Sequence, residues 1–299
     1  MAESIGYVAL HMGKRERILL TGVEGQVGWE LQRTLGVLGD VLAFDERALD
    51  LTDVSAIRNT MRATKPTLVV NPAAFTAVDK AESSRDLAFA VNADAVRVLA
   101  EEAKALGARM VHFSTDYVFD GTSATPYVET DATGPVSVYG ASKLAGEKAL
   151  VDVGVEALCF RTSWVYAARG QNFLRTMLRV ARAGATLRVV DDQVGAPTWA
   201  RALAEAVTVA VARDAFTTGA PVFHLTGAGS CSWFEFAKRI FELAHIDAAL
   251  EPIATSAYPT PAKRPAFSHP DNSRAERELG IALPHWEESL RLLDPSSVT

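Results

Sequence analysis

Ile18-Leu19-Leu20-Thr21-Gly22-Val23-Glu24-Gly25-Gln26-Val27-Gly28 is the stretch that decides the fold. A short apolar run enters glycines spaced G-x-x-G-x-x-G, and Trp29 to Leu35 continues with helical periodicity. Strand, glycine turn and helix in that order suit a dinucleotide pyrophosphate. Small residues let the backbone approach it, and the helix N-terminus offers amides and the positive end of a dipole. The spacing departs from the commoner G-x-G-x-x-G, but the physical basis is the same. Gly22, Gly25 and Gly28 are therefore candidate cofactor residues.

Working outward, Val41 to Asp45 reads as a second strand ending in an acid, about 20 residues past the glycine turn, where a dinucleotide fold places a carboxylate for the adenosine ribose. Asp45 favours NAD by repelling a 2′-phosphate, whereas Arg47 could accommodate one, so NADH and NADPH both stay open. Thr52 or Asp53 caps a helix from about Val54 to Thr64. Thr67 to Thr76 is a third strand ending in small residues, which leave room for a ligand at the sheet edge. A long helix spans roughly Arg85 to Leu106, and Met110 to Asp116 is a fourth strand ending in hydroxyls and an acid. Ser114 or Thr115 there could polarise a carbonyl. His112, flanked by apolar residues inside the strand, reads as packing or structural rather than catalytic.

Ser137-Val138-Tyr139-Gly140-Ala141-Ser142-Lys143-Leu144-Ala145-Gly146-Glu147 puts a tyrosine and a lysine on one helical face. An ammonium near a phenol favours phenolate, so a pKa of ~10 falls and the tyrosine can trade a proton with a carbonyl oxygen. Beyond it come a fifth strand (Leu158 to Ser163), an amphipathic helix (Asn172 to Val180) and a sixth strand (Thr186 to Val190). Helices near Ala200 to Ala212 and Trp233 to Ala244 flank a late strand, Val222 to Thr226. A proline-rich stretch, Tyr258 to Pro265, follows them. The alternation predicts an α/β fold, a Rossmann-type doubly wound and mostly parallel sheet with a smaller C-terminal substrate-binding lobe. The expected divisions are an N-terminal extension at 1–16, a cofactor-binding core with the Tyr/Lys pair at 17–165, and 166–299 completing the core and forming the lobe.

Composition sets the outer bounds. A net charge of -6 argues against general affinity for nucleic acid or an anionic membrane. No apolar run approaches the ~18 residues of a membrane span. The basic cluster Lys14-Arg15-Arg17 follows the apolar N-terminal part instead of preceding it, unlike a signal peptide, so a cytoplasmic location is expected. Cys159 and Cys231 show no paired spacing, Cys159 reads as a buried thiol, and no Cys/His pattern suggests a metal.

Glycine loop, strand-end acid, strand-end hydroxyl and Tyr/Lys pair together resemble the extended short-chain dehydrogenase/reductase superfamily. Gly25 to Leu31, Val78 to Glu82, Ser114 to Phe119, Tyr139 to Glu147, Arg161 to Tyr166, Asp192 to Thr198, and Tyr258 to Pro261 with Arg264-Pro265 look like the dTDP-4-dehydrorhamnose reductase family within it. The resemblance implies reduction of the 4-keto group of the sugar nucleotide dTDP-4-dehydrorhamnose by NADPH or NADH, by a monomer or homodimer. It also implies roles. Tyr139 is the acid, Lys143 binds the nicotinamide ribose and is the charge beneath the phenol, Thr115 tunes the transfer, and Tyr139 and Lys143 both count among the cofactor-binding residues. Gly25, Gln26 and Val27 hold the pyrophosphate and Asp45 the ribose. Asp50 and Leu51 lie by the adenine, and Ala74, Phe75 and Thr76 line the nicotinamide side. Thr115, Asp116 and Trp164 contact the sugar nucleotide, with Val78 and Arg264 as further substrate candidates; Trp164 also reads as a core aromatic closing the fifth strand. Some members hold Mg²⁺ through glutamates. Glu30 matches one, but Arg201 stands at another, so no metal site is expected. Two other readings share most of these motifs, a nucleotide-sugar epimerase or other reductase and a non-catalytic NADP-binding regulatory subunit.

Overall fold

The computed structural model describes residues 15–184 and 186–298; most of the expected N-terminal extension, residues 1–14, lies outside them. The first half alternates strand and helix: β1 (Glu16–Leu20), α1 (Gln26–Thr34), β2 (Gly39–Ala43), α2 (Val54–Thr64) and β3 (Leu68–Asn71). Next come α3 (Val78–Ser83), α4 (Arg85–Phe89), a π-helical segment Ala90–Asp94, α5 (Ala95–Leu106), β4 (Arg109–Thr115), α6 (Val138–Val153) and β5 (Ala157–Thr162). Shorter pieces follow: β6 (Val165–Tyr166), α7 (Phe173–Arg182), β7 (Leu187–Val190), β8 (Val194–Gly195), β9 (Thr198–Trp199) and α8 (Ala200–Ala212). The chain closes with β10 (Val222–His224), β11 (Cys231–Ser232), α9 (Trp233–Ala244), β12 (Leu250–Ile253), α10 (Ser273–Leu279) and α11 (Trp286–Leu293).

Six strands form one parallel sheet in the order β10-β5-β4-β3-β1-β2. Strands such as Leu68-Val69-Val70-Asn71 are buried at every residue, as a parallel sheet covered on both faces requires. One apolar layer joins the sheet to α1, α8 and α10 through Leu31, Leu203, Val207 and Leu279. The other joins it to α2, α5 and α6 through Ile57, Leu99 and Leu150. Because β1 is flanked by β2 on one side and β3 on the other, the strand order reverses there, and the C-terminal strand ends open a crevice at that point.

The sixth strand of the sheet differs from expectation. Thr186 to Val190 does form a strand, but β7 pairs only with β12 in a separate two-stranded ribbon, and the late strand β10 extends the main sheet beside β5. A third apolar cluster, built on Tyr166, Leu174, Phe236, Ile240, Trp286 and Leu290, packs α7, α9 and α11 together beside that ribbon.

Candidate active site

The crevice at the strand ends is a cleft of about 840 Å³, within the range that holds small ligands and cofactors. The catalytic, cofactor and substrate candidates from Gly22 through Trp164 line this one cleft, whereas Arg47, the alternative partner for a 2′-phosphate, is not among its lining residues.

The cofactor side is built by close backbone approach. Gly22 has φ +59°, and a Cβ there would lie 2.8 Å from Ala73 Cα at the exit of β3, so the loop needs a glycine. Gly25 is the N-cap of α1 and has no side chain to cap it, which leaves first-turn amides for an anion. The Gln26 side chain is engaged elsewhere, donating to the Val165 carbonyl at 3.3 Å and accepting from Asn172 at 2.8 Å. Gln26 thus offers the cleft its backbone. Asp45 sits just past β2 and accepts from the Ala48 amide at 2.7 Å through one oxygen. Asp50 accepts from the Thr52 amide and hydroxyl, both at 2.8 Å, and these bonds hold it below the usual carboxylate range. Such a cradle, with an acid placed for a ribose, fits a dinucleotide.

Phe75 is fixed by a residue that the sequence did not single out. Asn92, fully buried in the π-helical segment, accepts from the Phe75 amide at 2.8 Å and donates to its carbonyl at 3.1 Å. Asn92 Nδ2 also donates to Ser142 Oγ at 2.9 Å, one residue before Lys143. A π-bulge re-aims a side chain within a helix, and here it ties the β3 exit to α6.

Tyr139 and Lys143 stand on the first turns of α6, which Ser137 caps by accepting from the Gly140 amide at 3.2 Å. Thr115 ends β4; its hydroxyl donates to Asp116 Oδ1 at 3.0 Å and accepts from the Tyr117 amide at 3.2 Å. Tyr139 is half-buried at the cleft wall, edge-on to Tyr117 with ring centroids 5.8 Å apart. Burial pushes its phenol up to about 12, and the Thr115 hydroxyl beside it pulls the other way. That corrects the simple expectation that Lys143 sets the phenol: Lys143 Nζ lies deeper, 3.4 Å from His112 Nε2, and burial brings the ammonium down to about 8. Burial likewise raises Asp116 to about 7. Asp116 Oδ2 and Ser114 Oγ are buried and, among the described residues, have no hydrogen-bond partner.

The far wall is aromatic. Trp164 lines the cleft with φ +44°, and its indole stacks on that of Trp233, the first residue of α9. Trp233 was not legible as a site residue because its role arises only from this contact across the fold. Of the further substrate candidates, Val78 lines the cleft. Arg264 instead donates to both oxygens of Asp79, at 3.0 and 2.8 Å, and ties the proline-rich stretch to α3. The Glu30 carboxylate accepts from Arg201 Nε at 2.8 Å, so the guanidinium supplies the neutralising charge there.

Comparison with known proteins places the chain in one family. The family model described as the RmlD substrate binding domain matches residues 16–295. A dTDP-4-dehydrorhamnose reductase of Burkholderia thailandensis is 48% identical over 291 residues, covering 92% of this chain and 97% of that protein. One of Escherichia coli K12 is 44% identical over 286 residues, with 92% and 95% covered. The crystal structure of a dTDP-4-dehydrorhamnose reductase from Bacillus anthracis in complex with NADP superimposes with a TM-score of 0.89 at 35% identity, over 94% of this chain and 99% of that one.

Proposed function

The chain belongs to the RmlD substrate binding domain family, and from that membership we propose that it reduces the C4 keto group of dTDP-4-dehydro-L-rhamnose with NAD(P)H to give dTDP-L-rhamnose. The observation that carries the reading is the meeting of Tyr139, Lys143 and Thr115 with the glycine loop in one cleft. The names of relatives 44–48% identical over nearly the whole chain supply the substrate.

NAD(P)H, when bound, supplies a hydride to C4 of the sugar. The glycine loop and the α1 N-terminus hold the pyrophosphate, and Asp45 takes the adenosine ribose. Asp50 and Leu51 border the adenine, while Ala74, Phe75 and Thr76 line the nicotinamide side. Tyr139 gives its phenolic proton to the C4 oxygen as negative charge develops there. Its high pKa keeps the phenol protonated and ready to donate, and the Thr115 hydroxyl eases its departure. Lys143 supplies positive charge beneath the phenolate that forms. Asp116, with its unpartnered oxygen, and Trp164 contact the sugar nucleotide. Among the described residues no helix is long and apolar enough to cross a membrane. Both cysteines are free and buried, which suits a reducing cytoplasm.

The test is cofactor consumption by the purified protein. Stoichiometric oxidation of NADPH or NADH on adding dTDP-4-dehydrorhamnose is expected. An epimerase would use no net reduced cofactor, and a regulatory subunit would bind it without turnover, so an unchanged absorbance overturns the reading.

A further inference from the structure

The roles above leave one loop of the cleft unused. Residues 167–172 link β6 to α7, and Gly170, Gln171 and Asn172 line the cleft together with Gly25 and Gln26. Asn172 is the hub of this loop. Its Nδ2 donates to Gln26 Oε1 at 2.8 Å and to the Ala167 and Arg169 carbonyls at 2.9 and 3.0 Å. Its Oδ1 caps α7 by accepting from the Arg175 amide at 3.0 Å. The loop also grips α1 three residues further on, where the Arg169 guanidinium carbon lies 3.2 Å from the ring centroid of Trp29. Gly170, at φ +73°, lets the backbone pass tight against Gln26: a Cβ there would come within 3.3 Å of Gln26 Cγ.

Neither side-chain amide can be turned round. The Arg175 backbone N–H only donates, so Oδ1 of Asn172 faces α7 and Nδ2 faces Gln26. The Val165 carbonyl only accepts, so Nε2 of Gln26 points to it and Oε1 is left for Asn172. One arrangement therefore satisfies both residues, and it joins the start of α1 to β6 and to the cap of α7. Gln26 is the first residue of α1, in the turn whose free amides suit an anion. Gly25, the N-cap, brings no side chain to hold that turn, and the Gln26 side chain, anchored at both ends, does so instead. On the other side of Asn172, Phe173 packs on Trp233 with ring centroids 4.6 Å apart, so the loop is seated on the cluster of α7, α9 and α11.

We propose that Asn172 is a positioning residue for the cofactor: seated on α7, it fixes the Gln26 side chain and so keeps the first-turn amides of α1 aimed at the pyrophosphate. This rests on the reading of the glycine loop as the pyrophosphate cradle. A turn released from Asn172 has to be ordered when the nucleotide binds, which lowers affinity without touching the proton transfer from Tyr139.

The experiment is a double-variant cycle on the NADPH dissociation constant, read by fluorescence titration of the wild type, Asn172→Ser, Gln26→Leu and the pair combined. Asn172→Ser keeps an oxygen to cap α7 but cannot reach Gln26. It is expected to weaken NADPH about tenfold, with kcat at saturating NADPH within about twofold of wild type. Gln26→Leu should weaken NADPH by a similar factor, and the combined variant no further, because both changes break the same link. A combined variant weakened by about a hundredfold, the product of the two, means that Asn172 acts apart from Gln26 and overturns the proposal. An unchanged dissociation constant in Asn172→Ser overturns it too. Should Asn172→Ser not fold, Asn172→Thr, which also caps a helix, takes its place in the cycle. A wild-type protein that does not bind NADPH at all defeats the pyrophosphate reading itself, a result distinct from a cycle that closes additively.

Discussion

The indoles of Trp164 and Trp233 lie face to face, ring centroids 3.4 Å apart and planes 7° from parallel. Trp164 follows β5 directly and Trp233 begins α9, so the stack joins the parallel sheet to the cluster of α7, α9 and α11 at the cleft wall. Trp164 pays for its place with a left-handed backbone, a conformation that non-glycine residues adopt when the surroundings over-determine it. Trp233→Ala is expected to raise KM for the sugar nucleotide by about tenfold with little change in kcat, since it removes a wall rather than a reacting group. Steady-state kinetics check this; an unchanged KM means that the stack does not touch the substrate.

Tyr139→Phe removes one oxygen from a residue whose ring packs edge-on against Tyr117. The ring remains, so the cofactor cradle is preserved. A fall in kcat of roughly 10²- to 10⁴-fold is expected, with the nucleotide dissociation constant unchanged. Titration of bound NADPH alongside turnover separates the two quantities. Wild-type kcat in the variant would show that Tyr139 is not the acid.

Two buried groups give the reaction an alkaline limit. Lys143, brought down to about 8 by burial, is charged below that pH and neutral above it. Asp116, raised to about 7 by burial, is neutral below that pH; once ionised, its charge raises the Tyr139 phenol further and makes it a poorer donor. Both changes act in one direction, so kcat/KM for reduction should fall in two steps as pH rises through about 7 and about 8. Asp116→Asn should remove the lower step and leave the upper one. A profile with no fall through the alkaline range contradicts both assignments.

Arg161 and Glu147 hold α6 against β5 through a bidentate pair in which both side chains are about 5% exposed. Truncating one partner leaves the other as an uncompensated buried charge, which costs about 3–5 kcal/mol. Arg161→Leu should therefore lower Tm by on the order of 10 °C in calorimetry. The double variant with Glu147→Leu should recover much of the loss. An unchanged Tm in Arg161→Leu would show that the pair does not hold α6 in place.

What could be read in advance follows from the range of each signal. The glycine loop and the Tyr139/Lys143 pair are local spacings, and they announce themselves within a dozen residues. The strand at Leu187–Val190 was legible as a strand, yet its partner was not, because propensity says nothing about which strand lies alongside. His112 reads as core when only its apolar neighbours along β4 are considered; the helix that brings Lys143 to it is invisible from there. Asn92 escaped for a related reason, since a single π-turn leaves the helical periodicity of Arg85 to Leu106 almost intact. Trp233 and the Arg264–Asp79 pair likewise depend on contacts between distant segments.

The central claim is that hydride passes from the nicotinamide to C4 of the keto sugar in this cleft, with Tyr139 as the acid. NADPH carrying deuterium at the transferring position tests it directly. The account predicts dTDP-rhamnose labelled at C4, one deuterium per NADPH oxidised, and labelled product formed by Tyr139→Phe at a rate lower by roughly 10²- to 10⁴-fold. Unoxidised NADPH in the presence of dTDP-4-dehydrorhamnose, or a product without label at C4, would contradict it.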